Sequence, residues 1–166
     1  MPGIPWAAVS VGKTLRFTVG VGAEDDRYIR AFDPEQGFAG EGIACPEFTG
    51  SYLSWDGEHL FLSQWYKRRI LQLDEQGNIR RAIDVGAEIS GHTFVDRQIY
   101  VLRGAEKPVE NWVIARLDPG QEKPEVCDLA RVPFACRSLT FDGERFWSNH
   151  RAGNETIAFR LPGEER

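Results

Sequence analysis

The chain has 166 residues, 42% hydrophobic and 27% charged, with a net charge of −5. No apolar run reaches the length needed to cross a bilayer, so the composition predicts a water-soluble globular protein and no membrane association. The acidic balance argues against general nucleic-acid binding, which draws on many Lys and Arg contacts to phosphate.

Met1 to Trp6 has neither a basic leader nor a continuous apolar stretch. Cys45, Cys127 and Cys136 form an odd set without metal-finger spacing. Together these features predict reduced thiols and a cytoplasmic location.

In chain order, the first unit (residues 1–49) carries a turn at Val11-Gly12-Lys13-Thr14 and an acidic loop at Glu24-Asp25-Asp26-Arg27. It closes on Ile29-Arg30-Ala31-Phe32-Asp33, followed by Pro34 to Gly37. The second unit (50–90) opens on Tyr52-Leu53-Ser54-Trp55-Asp56-Gly57-Glu58-His59-Leu60-Phe61-Leu62-Ser63. Its apolar and aromatic runs, Ser51 to Trp55, His59 to Gln64, Arg69 to Leu73 and Ile79 to Val85, read as four strands. Asp56-Gly57 between two such runs is a hairpin signal, because Gly accepts positive φ.

The third unit (91–136) repeats the anchors more weakly as Val95-Asp96-Arg97-Gln98 and Ile114-Ala115-Arg116-Leu117-Asp118. The fourth (137–166) restates the opening phrase as Ser138-Leu139-Thr140-Phe141-Asp142-Gly143-Glu144-Arg145-Phe146-Trp147-Ser148-Asn149 and then runs through Ile157 to Leu161. A period of about 40 residues indicates a propeller or solenoid. A single unit of that size cannot bury enough apolar surface alone, so Trp55, Leu60, Phe61, Phe94, Ile99, Tyr100, Phe141, Phe146 and Trp147 are assigned to packing between units.

The expectation is therefore an all-β, β-propeller-like single domain over 1–166, with about four blades of short antiparallel strands. The last blade lacks a fourth strand. Such a chain needs closure, by a compact four-blade ring, by self-association into a two-fold dimer of about eight blades, or by the rest of a longer parent. The dimer is the favoured expectation, with Met1 to Trp6 a candidate to complete the last blade.

The run Trp55 to Ser63, a variable loop, then Arg69-Ile70-Leu71-Gln72-Leu73-Asp74-Glu75-Gln76-Gly77 resembles the blade repeat of a broad propeller group. That group includes NHL-repeat proteins, gluconolactonase-like enzymes, streptogramin lyases and glutamine cyclotransferases. The resemblance covers most of the chain and implies a blade architecture, not an activity. Cys45-Pro46-Glu47 does not reproduce the early Glu-Gly-Pro segment of the gluconolactonase-like enzymes.

In such a scaffold the long loops share one face, where sites are expected. Trp65, Tyr66, Lys67, Arg68 and Arg69 set two ring faces beside three cations, a pattern suited to stacking a planar or sugar ligand and clamping an anion. Asn149, Arg151 and Asn154 are the matching candidates in the last unit. The favoured function is a non-catalytic binding module for a small ligand or protein partner.

The alternative is a metal-assisted hydrolase or lyase, with Glu47, Glu88, His92, His150 and Glu155 as candidate ligands to a divalent metal. His92, His150 and Cys136 are its candidate catalytic groups, with crossings expected at Cys45 to Thr49, Glu88 to His92 and Phe134 to Arg137. The competing reading of these residues is structural: hydrogen-bonded histidines and small buried thiols.

Overall fold

The computed structural model describes residues 3–162. These residues form fifteen strands in four antiparallel sheets, each built from strands consecutive in sequence. The first sheet holds β1 (Ile4–Val11), β2 (Thr14–Val21), β3 (Asp26–Asp33) and β4 (Gly37–Ala44); the second holds β5 (Leu53–Trp55), β6 (Leu60–Gln64), β7 (Arg69–Leu73) and β8 (Ile79–Asp84). β9 (Glu88–Val95), β10 (Gln98–Ala105), β11 (Asn111–Leu117) and β12 (Cys127–Val132) make the third. The fourth has three strands, β13 (Cys136–Phe141), β14 (Phe146–His150) and β15 (Glu155–Phe159). Among the described residues the one helical element is a 3-10 turn at Pro46–Phe48. No helix among the described residues is long and apolar enough to cross a membrane.

The turns explain why the phrase recurs. Asp56 Oδ1 accepts hydrogen bonds from the backbone N–H groups of Glu58 (2.7 Å) and His59 (2.6 Å). Asp142 Oδ1 does the same for Glu144 (2.8 Å) and Arg145 (2.7 Å). The Asp side chain thus supplies an acceptor that the turn lacks, and Gly57 (φ 105°) and Gly143 (φ 102°) take the conformation that a Cβ would strain. These connections are longer than the two-residue primed turn that Asp-Gly suggests. That tight turn occurs instead at Asp96-Arg97, where both residues have positive φ without any glycine.

The chain forms two compact units, one of Met1–Gln64 with Ile70–Ala82, the other of Trp65–Arg69 with Ile83–Arg166. The core of the first gathers Ile29, Cys45, Leu53, Leu62, Leu71 and Leu73. In the second, Tyr100, Leu102, Trp112, Ile114, Cys136, Leu139 and Phe146 are buried together. Each of these large side chains contributes ~1.5–3 kcal/mol on burial. The Tyr100 and Phe146 rings lie 5.1 Å apart, so third and fourth sheets pack through aromatics as the repeat required. Trp147 departs from that assignment: it is half-buried and donates its indole N–H to Asp142 Oδ2 at 2.7 Å, bracing its own turn.

Three expectations are corrected. Ile4 and Pro5 pair with Gly20 and Val19 of β2, so this segment belongs to the first sheet and does not complete the last; Met1 and Pro2 lie outside the described residues. Glu88 to His92 is the start of β9 and not a crossing, and Cys136-Arg137 opens β13. The glycine at position 91 has a packing cause. A Cβ at Gly91 would stand 2.5 Å from Leu139 N and 2.6 Å from Ser138 C, so β9 approaches the β13 backbone too closely for a side chain.

Candidate functional site

The densest chemistry lies in the second unit, around Arg137. Its position follows from β13: Arg137 pairs with Asn149 of β14, while Cys136 before it is fully buried. The guanidinium lies over two indoles, 4.7 Å from the Trp65 centroid and 5.4 Å from the Trp112 centroid. Those indoles meet edge to face at 5.5 Å and 88°. Trp112 is fully buried at the start of β11, beside Gly104 of β10, where a Cβ would meet Trp112 Cε3 at 3.1 Å. Glycine at 104 therefore makes room for the indole.

Carboxylates complete the cluster. Arg137 Nη2 donates to Glu106 Oε1 at 2.9 Å, and Nη1 donates to Glu110 Oε1 and to Cys136 O. Glu110 Oε1 also accepts the Trp112 indole N–H at 2.7 Å. Glu88 Oε2 accepts the Trp65 indole N–H at 3.2 Å and the backbone N–H of Glu106 at 3.0 Å. Two guanidiniums, Arg137 and the more exposed Arg151, thus face Glu106 and Glu110, Arg151 Nη1 standing 4.0 Å from a carboxylate oxygen of each. Burial pushes the Glu110 carboxyl up. The hydrogen bonds from Trp112 and Arg137, with the Arg137 and Arg151 charges, outweigh it and hold its pKa below the ordinary carboxylate value.

The hairpin candidates divide between support and surface. Trp65 is half-buried in the cluster, whereas Tyr66 is 73% exposed, its hydroxyl donating to Glu106 Oε2 at 3.3 Å. Lys67 and Arg68 are exposed in the turn, and Arg69 begins β7, half-buried. Asn149 is a half-buried member of β14, and Arg151 and Asn154 are exposed in the turn before β15.

The metal and catalytic candidates do not converge. Among the described residues no group of three or more His, Cys, Asp or Glu side chains is placed to hold a metal ion. His92 is buried within β9, paired with Val101. His150 Nδ1 lies 3.8 Å from Glu155 Oε2, with the Phe134 ring 4.9 Å away. Glu88 serves Trp65 and the Glu106 backbone, as above, and Glu47 sits in the 3-10 turn of the first unit. Burial pushes the Cys136 thiol up to about 12, which favours the protonated thiol at neutral pH.

Glu106, Glu110 and Trp112 are members that the sequence reading did not single out. A signal was present: a buried indole needs an acceptor for its N–H, and Glu110 stands two residues before Trp112, on the same side of an extended chain.

Solved structures match this architecture over nearly the whole chain. Glutaminyl cyclase from Myxococcus xanthus aligns with TM-score 0.66 at 12% identity, covering 95% of this chain and 66% of that one. The computationally designed Ika4 protein aligns with TM-score 0.61 at 9% identity, covering 97% and 93%. Virginiamycin B lyase from Staphylococcus aureus aligns with TM-score 0.58 at 11% identity, covering 99% and 58%.

The fold is β-propeller-like. The described residues make four blades, the last with three strands. The chain spans about two thirds of the length of the cyclase and 58% of that of the lyase. No protein-family model and no curated protein matches the chain in sequence.

Proposed function

We propose that this propeller chain is a non-catalytic binding module, and that its contact surface is the exposed Tyr66 ring with Arg151, carried on the Trp65–Arg137–Trp112 cluster. One observation carries the reading: Arg137 is committed to two carboxylates, one backbone carbonyl and two ring faces. A group so engaged acts as a support, because three of its five N–H donors already hold protein acceptors and its plane lies against packed indoles. What it supports is a fixed amphipathic surface. Aromatic and Arg side chains held by packed neighbours lose little freedom on binding, which is the usual make-up of a contact centre. The anion clamp expected at Lys67 to Arg69 is accordingly moved to Arg151, whose two carboxylate contacts are long enough to be exchanged for a ligand's.

The ligand class is a planar or sugar ring bearing a carboxylate or phosphate, presented by a small molecule or a protein side chain. Titration with benzoate and with inorganic phosphate, followed by backbone amide shifts, tests this. Saturable shifts at residues 65–69 and 151–154 that vanish in Tyr66→Ala and Arg151→Ala are expected. Shifts elsewhere, or none, would overturn it. The similarity to propeller enzymes is one of fold at 11–12% identity and favours neither class. A stoichiometric divalent ion lost in His150→Ala would replace this reading with a metal-assisted hydrolase or lyase.

A further inference from the structure

The surface proposed above carries more negative charge than positive, and the imbalance narrows its ligand. Glu106 and Glu110 face Arg137 and Arg151, and Glu88 joins them through the Glu106 backbone N–H, which its Oε2 accepts at 3.0 Å. Three carboxylates thus stand against two guanidiniums, all within the second compact unit.

The two signs are separated in space. Arg151, with its side chain 51% exposed, is the accessible cation, whereas Arg137 is 17% exposed and engaged with its own partners. The Tyr66 hydroxyl marks the negative end, donating to Glu106 Oε2 at 3.3 Å. Its pKa is held above the ordinary value by desolvation first, then by the charge and hydrogen bond of Glu106 and the charge of Glu88, with Arg137 opposing. Glu106 spans the two ends. Its Oε1 accepts from Arg137 at 2.9 Å and has Arg151 Nη1 at 4.0 Å, while its Oε2 accepts from the neutral Tyr66 hydroxyl. A carboxylate offers about four acceptor positions, so Oε2 has capacity for a second donor. That donor can arrive from solvent, because the Glu106 side chain is 31% exposed.

An ion of one sign fits such a surface poorly. A lone anion on Arg151 would draw that cation away from Glu106 and Glu110 and add to the surplus of negative charge. A lone cation on Glu106 would face Arg151 as a like charge. A ligand carrying both signs meets each end with its opposite. We infer that the surface takes an aromatic α-amino acid as its zwitterion, with the ring against Tyr66, the carboxylate on Arg151 and the ammonium on Glu106 Oε2. Ring and carboxylate sit as in the proposed function, on which this assignment rests; the ammonium is new. The two charges of an α-amino acid hang on one carbon, matching a carboxylate with one oxygen beside Arg151 and the other beside Tyr66.

The test compares phenylalanine with hydrocinnamate, which lacks the ammonium, and phenethylamine, which lacks the carboxylate. Each is titrated into the full chain at neutral pH and constant ionic strength and followed by backbone amide shifts. Phenylalanine is expected to shift residues 65–69, 106 and 151–154 saturably. The other two should bind at least about tenfold more weakly, the loss expected when one charge-assisted hydrogen bond is left unmade. Glu106→Gln, which keeps an acceptor oxygen without its charge, should remove most of the preference for phenylalanine over hydrocinnamate. Arg151→Ala should remove most of the preference over phenethylamine. The three ligands decide the matter on the unmodified chain, so the test holds should Glu106→Gln fail to fold. Hydrocinnamate binding these residues as tightly as phenylalanine, or a preference retained in Glu106→Gln, would overturn the zwitterion and leave the proposed function standing. Phenethylamine binding as tightly would remove Arg151 from the site and overturn both. Phenylalanine shifting other residues or none would overturn the inference, and the benzoate and phosphate titrations decide the proposed function separately.

Discussion

The guanidinium carbon of Arg137 lies over the indole of Trp65, 4.7 Å from its centroid, although 72 positions of chain separate them. Because Glu106 and Glu110 depend on the same cation, Arg137→Ala should cost ~1–3 kcal/mol in urea unfolding, between a surface pair and a fully buried one. Arg137→Lys should recover less than half, since an ammonium lacks the planar fork that reaches two carboxylates from beside two indoles. A double-mutant cycle with Glu110→Gln should show coupling. Additive losses would mean that the two side chains are neighbours without interaction.

The thiols offer an independent check on the same region. Cys127 is exposed, whereas Cys45 and Cys136 are buried, each with its thiol pushed up to about 12 by burial. Titration of the native chain with Ellman's reagent near pH 8 should therefore release a single equivalent rapidly, assignable to Cys127 by its loss in Cys127→Ser. Urea should bring out the remaining two. Rapid reaction of Cys136 in the folded chain would restore it as a candidate nucleophile.

How far the sequence carried can be judged from these same residues. The strands of the second blade were legible because Asp56 and Gly57 punctuate apolar runs, and the local physics of the turn needs no distant partner. β9 was obscured because Ser90, Gly91 and His92 are small or polar yet wholly buried, for reasons set by β13 and its neighbours. The Ser90 hydroxyl, for instance, donates to Cys136 O at 2.9 Å. The site was half legible: Trp65 and Tyr66 were read as ring faces, but the cation over Trp65 comes from another blade and not from Lys67 or Arg68. Pairings between residues so far apart in sequence leave no local pattern.

Gly91 yields the next prediction. A Cβ there would clash with backbone atoms of Ser138 and Leu139, which cannot rotate away as a side chain could. Gly91→Ala should therefore destabilise the chain by ~1–3 kcal/mol, the cost of forcing extra volume into a packed core. Gly104→Ala should behave alike, its Cβ falling 2.0 Å from Asn111 O. Thermal unfolding checks both. Unchanged melting of Gly91→Ala would mean that β9 and β13 are not in close contact.

Acid should unfold the chain partly through its turns. The Asp142 pKa is held down at about 2 by hydrogen bonds from the Arg145 N–H, the Trp147 indole and the Glu144 N–H. Asp74 is lowered too, chiefly by the Asn78 side chain and then by its backbone N–H. In the unfolded chain both return to ~3.9. Between those values the unfolded state binds more protons than the folded one, so stability rises with pH across this window. The contribution is complete above the unfolded value and disappears as pH falls through the folded one. Asp142→Asn keeps an acceptor oxygen for the turn but has nothing to titrate. Its melting temperature should therefore lie below that of the wild type at pH 7 and fall less steeply from about pH 5 to pH 2. Parallel profiles for the two proteins would show that the turn hydrogen bonds do not favour the ionised carboxylate.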